Sequence, residues 1–257
     1  MSERKQTLQR LEEQLRELKL PHMREQYAAV AKQAQKESLG YEEYLALLVE
    51  QQWQHRRQLR TERLLRESRL PLEKTWDSFD LQRLPRKVLQ QVKALLDGTF
   101  LAHKENVLFF GTPGSGKTHL LCALGQKLVG DGHRIYFNSC MLLMQDLLKA
   151  KKELTLPRYL KKLAGFEAII LDDIGYLQQD RGEMEMLFTL LAERYERGSI
   201  MLTSNLPFSK WEKIFMDPMV TAAAIDRLVH HSVIVEMNLP SYRMAVAKQK
   251  RNDKDKS

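Results

Sequence analysis

The sequence predicts an α/β fold in which a five-stranded parallel sheet is flanked by helices and preceded by a small all-α unit. Two observations carry this. From about residue 100 onward, short apolar runs at 107–110, 134–138, 168–171, 200–203 and 233–236 alternate with helical segments. Most of these runs are hydrophobic without interruption, as strands become when helices cover both faces of a sheet. Before residue 70, by contrast, there is one glycine, Gly40, and one proline, Pro21, and apolar residues recur at helical spacing.

Taken in order, Leu8, Leu11, Leu15 and Leu18 mark a first amphipathic helix, which Pro21 ends unless it starts the next. Met23, Tyr27, Val30 and Ala34 mark a second, broken at Ser38, Leu39 and Gly40. Tyr41, Tyr44, Leu45, Leu48 and Trp53 begin a third that reaches about Ser68. Its later half carries Arg56, Arg57, Arg60, Arg63 and Arg66, with Arg69 just beyond, opposed by Glu62 and Glu67. That face is either solvated or made for phosphates or a partner. The expected division is a helical domain over 1–70, a connector over 71–98, the α/β domain over 99–247 and a basic polar tail over 248–257.

The 257 residues, 43% of them hydrophobic, suffice for one sizeable core and a small second unit, which excludes a disordered chain or a short disulfide scaffold. The net charge of +8 is uneven: +3 over 1–70, +1 over 71–240 and +4 over 241–257. A basic protein of this kind suits an acidic partner such as nucleic acid. No run approaches the roughly 18 apolar residues of a membrane span, and the first residues lead into charge, so a cytoplasmic protein without membrane contact is expected. Cys122 and Cys140 are the only cysteines and no Cys/His group has zinc spacing. A reducing compartment and no structural metal follow as expectations.

Directly after the first strand stand Gly111, Thr112, Pro113, Gly114, Ser115, Gly116, Lys117 and Thr118, a full match to G-x-x-x-x-G-K-[ST]. Glycines let such a loop curl so that its N–H groups surround phosphate oxygens at the start of the next helix. Lys117 then reaches the β- and γ-phosphates of ATP, and the Thr118 hydroxyl ligates Mg²⁺. Some 55 positions on, an apolar strand ends in Asp172 and Asp173. The first fits a Mg²⁺ partner and the second a base for the attacking water. The fourth strand turns polar at Asn205, which suits a contact to the γ-phosphate or its water, or a local turn cap. Arg227, beside Asp226 and before the last strand, suits an arginine that enters a neighbouring subunit's site, or a surface pairing. His230 and His231 have no carboxylate or second base at triad spacing and read as structural or solvated. Ser241 reads as a helix N-cap with Arg243 in its first turn, within reach of phosphate.

These stretches, together with 170–175, 194–199, 203–207 with Trp211, and 224–228, closely resemble the IstB-like ATPases, helper proteins of insertion-sequence transposition. The likeness runs in order over about 75–247, and the helical N-terminal segment is also similar. It implies an AAA+ ATPase of the helicase-loader branch, related to DnaC-type loaders, which forms an ATP-dependent homo-oligomer on DNA and assists the transposase of the same element. By position it implies Lys117 and Thr118 on phosphates and Mg²⁺, Asp172 and Asp173 as the carboxylate motif, Asn205 as first sensor, Arg227 as the in-trans finger and Arg243 as second sensor. The approach to Ser241 departs from the family, which commonly has glycine where Asn238, Leu239 and Pro240 stand. Only 20 residues follow Met237, too few for a full helical lid, so closure of the site by a neighbour is expected.

Within the near-neutral middle, Lys149, Lys151, Lys152, Arg158, Lys161 and Lys162 face Glu153 alone, a net +5 in 14 residues. This is a solvated helix pair or a set of phosphate contacts on double-stranded DNA; the latter implies weak sequence preference and strong salt dependence. A replicative helicase loader of the DnaC type is the alternative use of the same motor. A small-molecule kinase is disfavoured, because no arginine-rich lid segment is evident and Asp226 and Arg227 have no natural place in one.

Overall fold

The computed structural model describes residues 3–176, 181–215, 217–242 and 244. It divides into two compact units, Met1–Arg63 and Leu64–Ser257.

The first unit holds α1 (Glu3–Glu17), α2 (Pro21–Lys36) and most of α3 (Tyr41–Ser68), which runs on past the unit boundary. Pro21 stands in the first turn of α2, where its missing N–H costs nothing. Leu15, Met23, Val30 and Leu48 form its small core, and the Gln52 side chain accepts a bond from the Met23 N–H at 3.1 Å. On the arginine-rich stretch, Arg57 lies over the Trp53 ring at 5.6 Å and Arg56 donates to the Lys19 carbonyl at 2.6 Å.

The second unit is a parallel sheet of β1 (Asn106–Gly111), β2 (Ile135–Ser139), β3 (Ala168–Asp172), β4 (Ser199–Ser204) and β5 (Ser232–Met237), in the order β2-β3-β4-β1-β5. Each strand lies within a residue or two of its expected run, because alternate residues bury themselves on opposite faces. Leu108, Ile169, Leu171, Ile200 and Leu202 join one core, with α7 (Cys140–Lys152), α8 (Leu156–Ala164), α9 (Arg181–Arg194), α10 (Glu212–Phe215) and α11 (Pro218–Val229). Val107, Phe109, Ile135, Ala168, Ile170, Met201 and Val235 join the other, with α4 (Arg86–Ala94), α5 (Thr99–Ala102) and α6 (Lys117–Gly130).

The strand order decides where the chemistry falls. In register Val107 faces Met201 and Ile170 faces Met201 from the other side, so β4 lies between the strand that feeds the glycine loop and the strand that ends in carboxylates. All these strands point the same way, which brings the loop after Gly111, the pair Asp172 and Asp173, and the end of β4 to one edge.

Candidate functional site

The glycine loop is shaped by three positions that exclude a side chain. Gly111, Gly114 and Gly116 have φ of 152°, 78° and 98°, a region costly for residues with a Cβ. A Cβ on Gly111 would enter the Met237 carbonyl, one on Gly114 would strike the Ser241 hydroxyl, and one on Gly116 would come within 2.7 Å of the Phe79 ring. The loop is also bonded to the segment after β5. The Thr112 hydroxyl donates to the Leu239 carbonyl at 2.8 Å, and the Tyr242 N–H donates to the Gly114 carbonyl at 2.9 Å.

Lys117 is buried, and its ammonium donates to the carbonyls of Gly111 (2.8 Å) and Thr112 (3.0 Å), so it is folded back along the loop. The Asp172 Oδ1 accepts from the Thr118 hydroxyl and from the Thr203 hydroxyl, each at 2.7 Å. Thr203 in turn accepts from the Asp173 N–H at 2.8 Å. Asp173 has φ of 57°, a left-handed conformation that Asp tolerates better than most residues and that persists where surroundings fix it. Thr203 therefore holds one oxygen of the Asp172 carboxylate and the backbone N–H of Asp173, and it is wholly buried.

A cavity of about 270 Å³ opens over this edge, with Lys117, Thr118, Asp173 and Asn205 in its wall. The Asn205 Oδ1 is buried with no hydrogen-bond partner among the described residues, and a Cβ on Gly175 would run into it. Ser115, in the loop itself, likewise has a buried hydroxyl without a partner. The opposite wall comes from residues outside the sequence motifs. Phe79 meets the His119 ring edge-on at 5.2 Å, Arg83 lies 4.9 Å over the Tyr242 ring, and Arg83 donates to the Pro240 carbonyl at 2.7 Å. Side chains of α6 hold this approach in place: His119 pairs with the Thr75 carbonyl at 2.9 Å and Gln126 donates to the Pro71 carbonyl at 2.6 Å. Residues 71–83, expected as a connector, thus form one side of the pocket.

Two hydroxyl and carboxylate oxygens at 2.7 Å beside a phosphate-sized cradle are hard donors that fit Mg²⁺, which takes few protein ligands and keeps waters. The glycine curvature and the unpartnered Ser115 hydroxyl, which can donate, fit a polyanion in the same cradle, whereas the Asn205 Oδ1 accepts only and suits a water or another donor.

Arg227 is elsewhere. It borders a second cavity of about 240 Å³ at the other end of the strands, beside Asn106 and Ile200. Its guanidinium lies 4.4 Å over the Phe188 ring, and its Nη1 is buried without a hydrogen-bond partner among the described residues. Nearby, Arg194 is buried and donates to the carbonyls of Leu163, Phe166, Glu167 and Ser199. Burial draws its pKa down to about 10. The 194–199 stretch is in this part a structural clamp, and Gly198 is small because a Cβ there would enter that guanidinium. The six basic residues from Lys149 to Lys162 are all exposed on α7 and α8, with Lys151 held by Glu185 at 2.7 Å and Lys149 near Glu153 at 4.0 Å. Ser241 accepts a bond from the Met244 N–H at 3.4 Å. Arg243 and the tail 248–257 lie outside the described residues.

The family model described as IstB-like ATP binding protein matches residues 13–252. The chain belongs to this family. Among its relatives, an ATP-binding protein of insertion sequence IS21 from Pseudomonas aeruginosa is 41% identical over 94% of this chain and 90% of its own length. An insertion-sequence ATP-binding protein from Sinorhizobium fredii is 42% identical over 89% and 77%. The fold of this IstB-like chain is that of P-loop AAA+ proteins. The DnaC helicase loader superposes with a TM-score of 0.55 at 17% identity, over 65% of this chain and all of its own. DnaA from Aquifex aeolicus, bound to AMPPCP, gives 0.57 at 21% over 72% of this chain and 57% of its own. Among the described residues no helix is long and apolar enough to cross a membrane.

Proposed function

We propose that this chain is a Mg²⁺-dependent ATPase that assembles on double-stranded DNA and assists the transposase of its own insertion sequence. One observation carries the reading. The Thr118 and Asp172 oxygens meet at 2.7 Å beside a glycine-walled loop, in a chain of the IstB-like family whose relatives are named as insertion-sequence ATP-binding proteins.

In this reading the loop N–H groups of residues 112–118 bind phosphate oxygens, and Lys117 exchanges its carbonyl partners for the β- and γ-phosphates. Thr118, and Asp172 through water, hold Mg²⁺, which neutralises charge gathering on the phosphate oxygens. Asp173 accepts the proton of the water that attacks the γ-phosphorus. The bond from that phosphorus to the β–γ bridging oxygen breaks, giving ADP and phosphate. Asn205 orients the water, and its unpartnered Oδ1 supports that role. Arg227 stands at the other end of the sheet from its own loop, which supports its acting in a neighbour's site within a homo-oligomer. Arg243 is the second sensor. Residues 1–70 serve partner, DNA or subunit contacts, residues 99–247 carry the ATPase, and the six basic residues of α7 and α8 track DNA phosphates.

The test is a mixing experiment. Lys117→Ala and Arg227→Ala are expected each to hydrolyse ATP at least 100-fold more slowly than the parent, while their mixture regains activity, because an intact Lys117 site receives Arg227 from the other subunit. Full activity of Arg227→Ala at every protein concentration overturns the in-trans arrangement. DNA-stimulated hydrolysis that leaves the cognate transposase unaffected but loads a replicative helicase overturns the transposition role.

A further inference from the structure

Glu196, His230 and His231 come together on the surface although the carboxylate and the first imidazole are 34 positions apart in the chain. One ligand atom from each lies within 4.8 Å of the others. Glu196 occupies the turn between α9 and β4, and the two histidines occupy the turn between α11 and β5.

The backbone beneath them is fixed. The His231 carbonyl accepts the Asn106 N–H at 2.7 Å, the His230 N–H donates to the Asp226 carbonyl at 2.9 Å, and Asn106 donates to the Leu228 carbonyl at 3.0 Å. One imidazole is also oriented, since His230 Nδ1 pairs with the Tyr195 hydroxyl at 3.2 Å, which leaves Nε2 as its outward nitrogen. A polar partner on the far nitrogen is the usual companion of a metal-ligating histidine. The two rings stand with centroids 4.1 Å apart at 59°, so they are splayed rather than stacked.

We propose that Glu196, His230 and His231 form a binding site for a divalent transition ion of borderline softness, with Zn²⁺ the expected occupant. Two imidazoles and one carboxylate form the donor set that such ions favour over Mg²⁺ or Ca²⁺. Bonds of about 2.0 to 2.1 Å require ligand atoms roughly 3.4 Å apart, so the three must close by a little over 1 Å, within the reach of exposed side chains on fixed backbone. Solvent supplies the fourth position. Asp226 adds favourable charge nearby, while Arg227 and Lys104, which border the adjacent cavity, oppose it. The balance sets an affinity for a regulatory rather than a permanently held ion. Occupancy ties the turn after α9 to the turn after α11, next to Arg227, and does not depend on nucleotide.

Cobalt reports this directly. The full chain, untagged and stripped of metal, is titrated with Co²⁺ while its visible ligand-field bands are followed, and Zn²⁺ is then added as competitor. The expected result is one strongly absorbing Co²⁺ per chain, displaced by Zn²⁺, with affinity weakened at least tenfold by His230→Gln, His231→Gln or Glu196→Gln. Tyr195→Phe should weaken it less and leave the band shape intact. The stacked pair His22 and His55, 4.6 Å apart, is the control. Binding that survives His230→Gln and His231→Gln but falls with His22→Gln overturns the assignment, as does the absence of ligand-field bands in the parent chain.

Discussion

Replacing Thr203 by valine removes one hydroxyl and nearly nothing else, because the two side chains share a shape. That hydroxyl donates to Asp172 and accepts from the Asp173 N–H, and it lies in a strand without solvent access. Loss of the Thr203 acceptor from the Asp173 N–H costs about 1 to 3 kcal/mol, and the lost bond to a carboxylate about 1.5 to 3. Burying a methyl in place of the hydroxyl returns about 1 kcal/mol. The net expectation is a loss of about 1.5 to 5 kcal/mol, read from the urea midpoint at unchanged slope. Catalysis should suffer separately. With Asp173 released from its left-handed conformation and Asp172 short of one donor, kcat for ATP hydrolysis should fall by about 10- to 100-fold, with KM altered much less. Thr203→Ser keeps the oxygen and should recover most of kcat while losing about 1 kcal/mol of packing. If Thr203→Val keeps kcat within twofold, or the serine variant is as slow as the valine, Thr203 does not position the carboxylates.

Gly111→Ala forces a Cβ into the Met237 carbonyl at a φ of 152°; it should lower stability by more than about 2 kcal/mol and abolish nucleotide binding, as seen in melts with and without ATP. Phe79→Ala takes away a wall of the pocket and should weaken a fluorescent ATP analogue by about 10-fold or more, the scale of a lost base stack, with kcat little changed. On DNA, Lys152→Ala should flatten the salt slope of binding by about 1, and Lys151→Ala by less, since Glu185 already neutralises that lysine. Burial pushes the Glu167 carboxyl up, but the Arg134 N–H, the His133 imidazole and the charge on Lys104 outweigh it and leave the pKa lowered. A lowered folded pKa gives stability that is present above the ordinary carboxylate range and lost as pH falls through the folded value. Glu167→Gln should therefore flatten the acid side of the stability profile and change the neutral side less.

The legible parts of this protein were those whose cause lies within a dozen residues of chain. Both-faced burial makes a strand read as an unbroken apolar run, so all five were visible, and the glycine loop and its carboxylates follow from local turn and strand chemistry. Thr203 was hidden because a buried hydroxyl in such a run looks like any β-branched residue, and only the neighbouring strand shows what it bonds. Phe79 reaches the glycine loop from 37 positions before Gly116, Tyr242 from 128 positions after Gly114, and Arg83 meets Tyr242 across 159 positions, distances at which no spacing rule operates. His230 and His231 read as structural or solvated for the same reason, since Glu196 lies a strand and two α-helices upstream. The 194–199 stretch carried the family resemblance but no role of its own, and Arg194 spends its guanidinium on four backbone carbonyls, a structural use that only the fold shows. One signal was available: a threonine directly ahead of a polar strand end, in the strand beside the carboxylates, is worth testing as their support.

The bonds from Thr112 to Leu239, from Tyr242 to Gly114 and from Arg83 to Pro240 have a consequence for how the chain can be cut. Arg83 and the segment 239–242 meet beside the glycine loop, with Leu239 and Tyr242 bonded to the loop itself. A fragment trimmed after Met237, or begun after Arg83, keeps every motif residue up to that point and still loses the splint that sets the loop's resting shape. Its affinity for nucleotide would describe the fragment and not the protein. The same arrangement couples the loop to a segment more than 120 residues further along the chain, so that any change in the loop is felt at Leu239 and Tyr242 first.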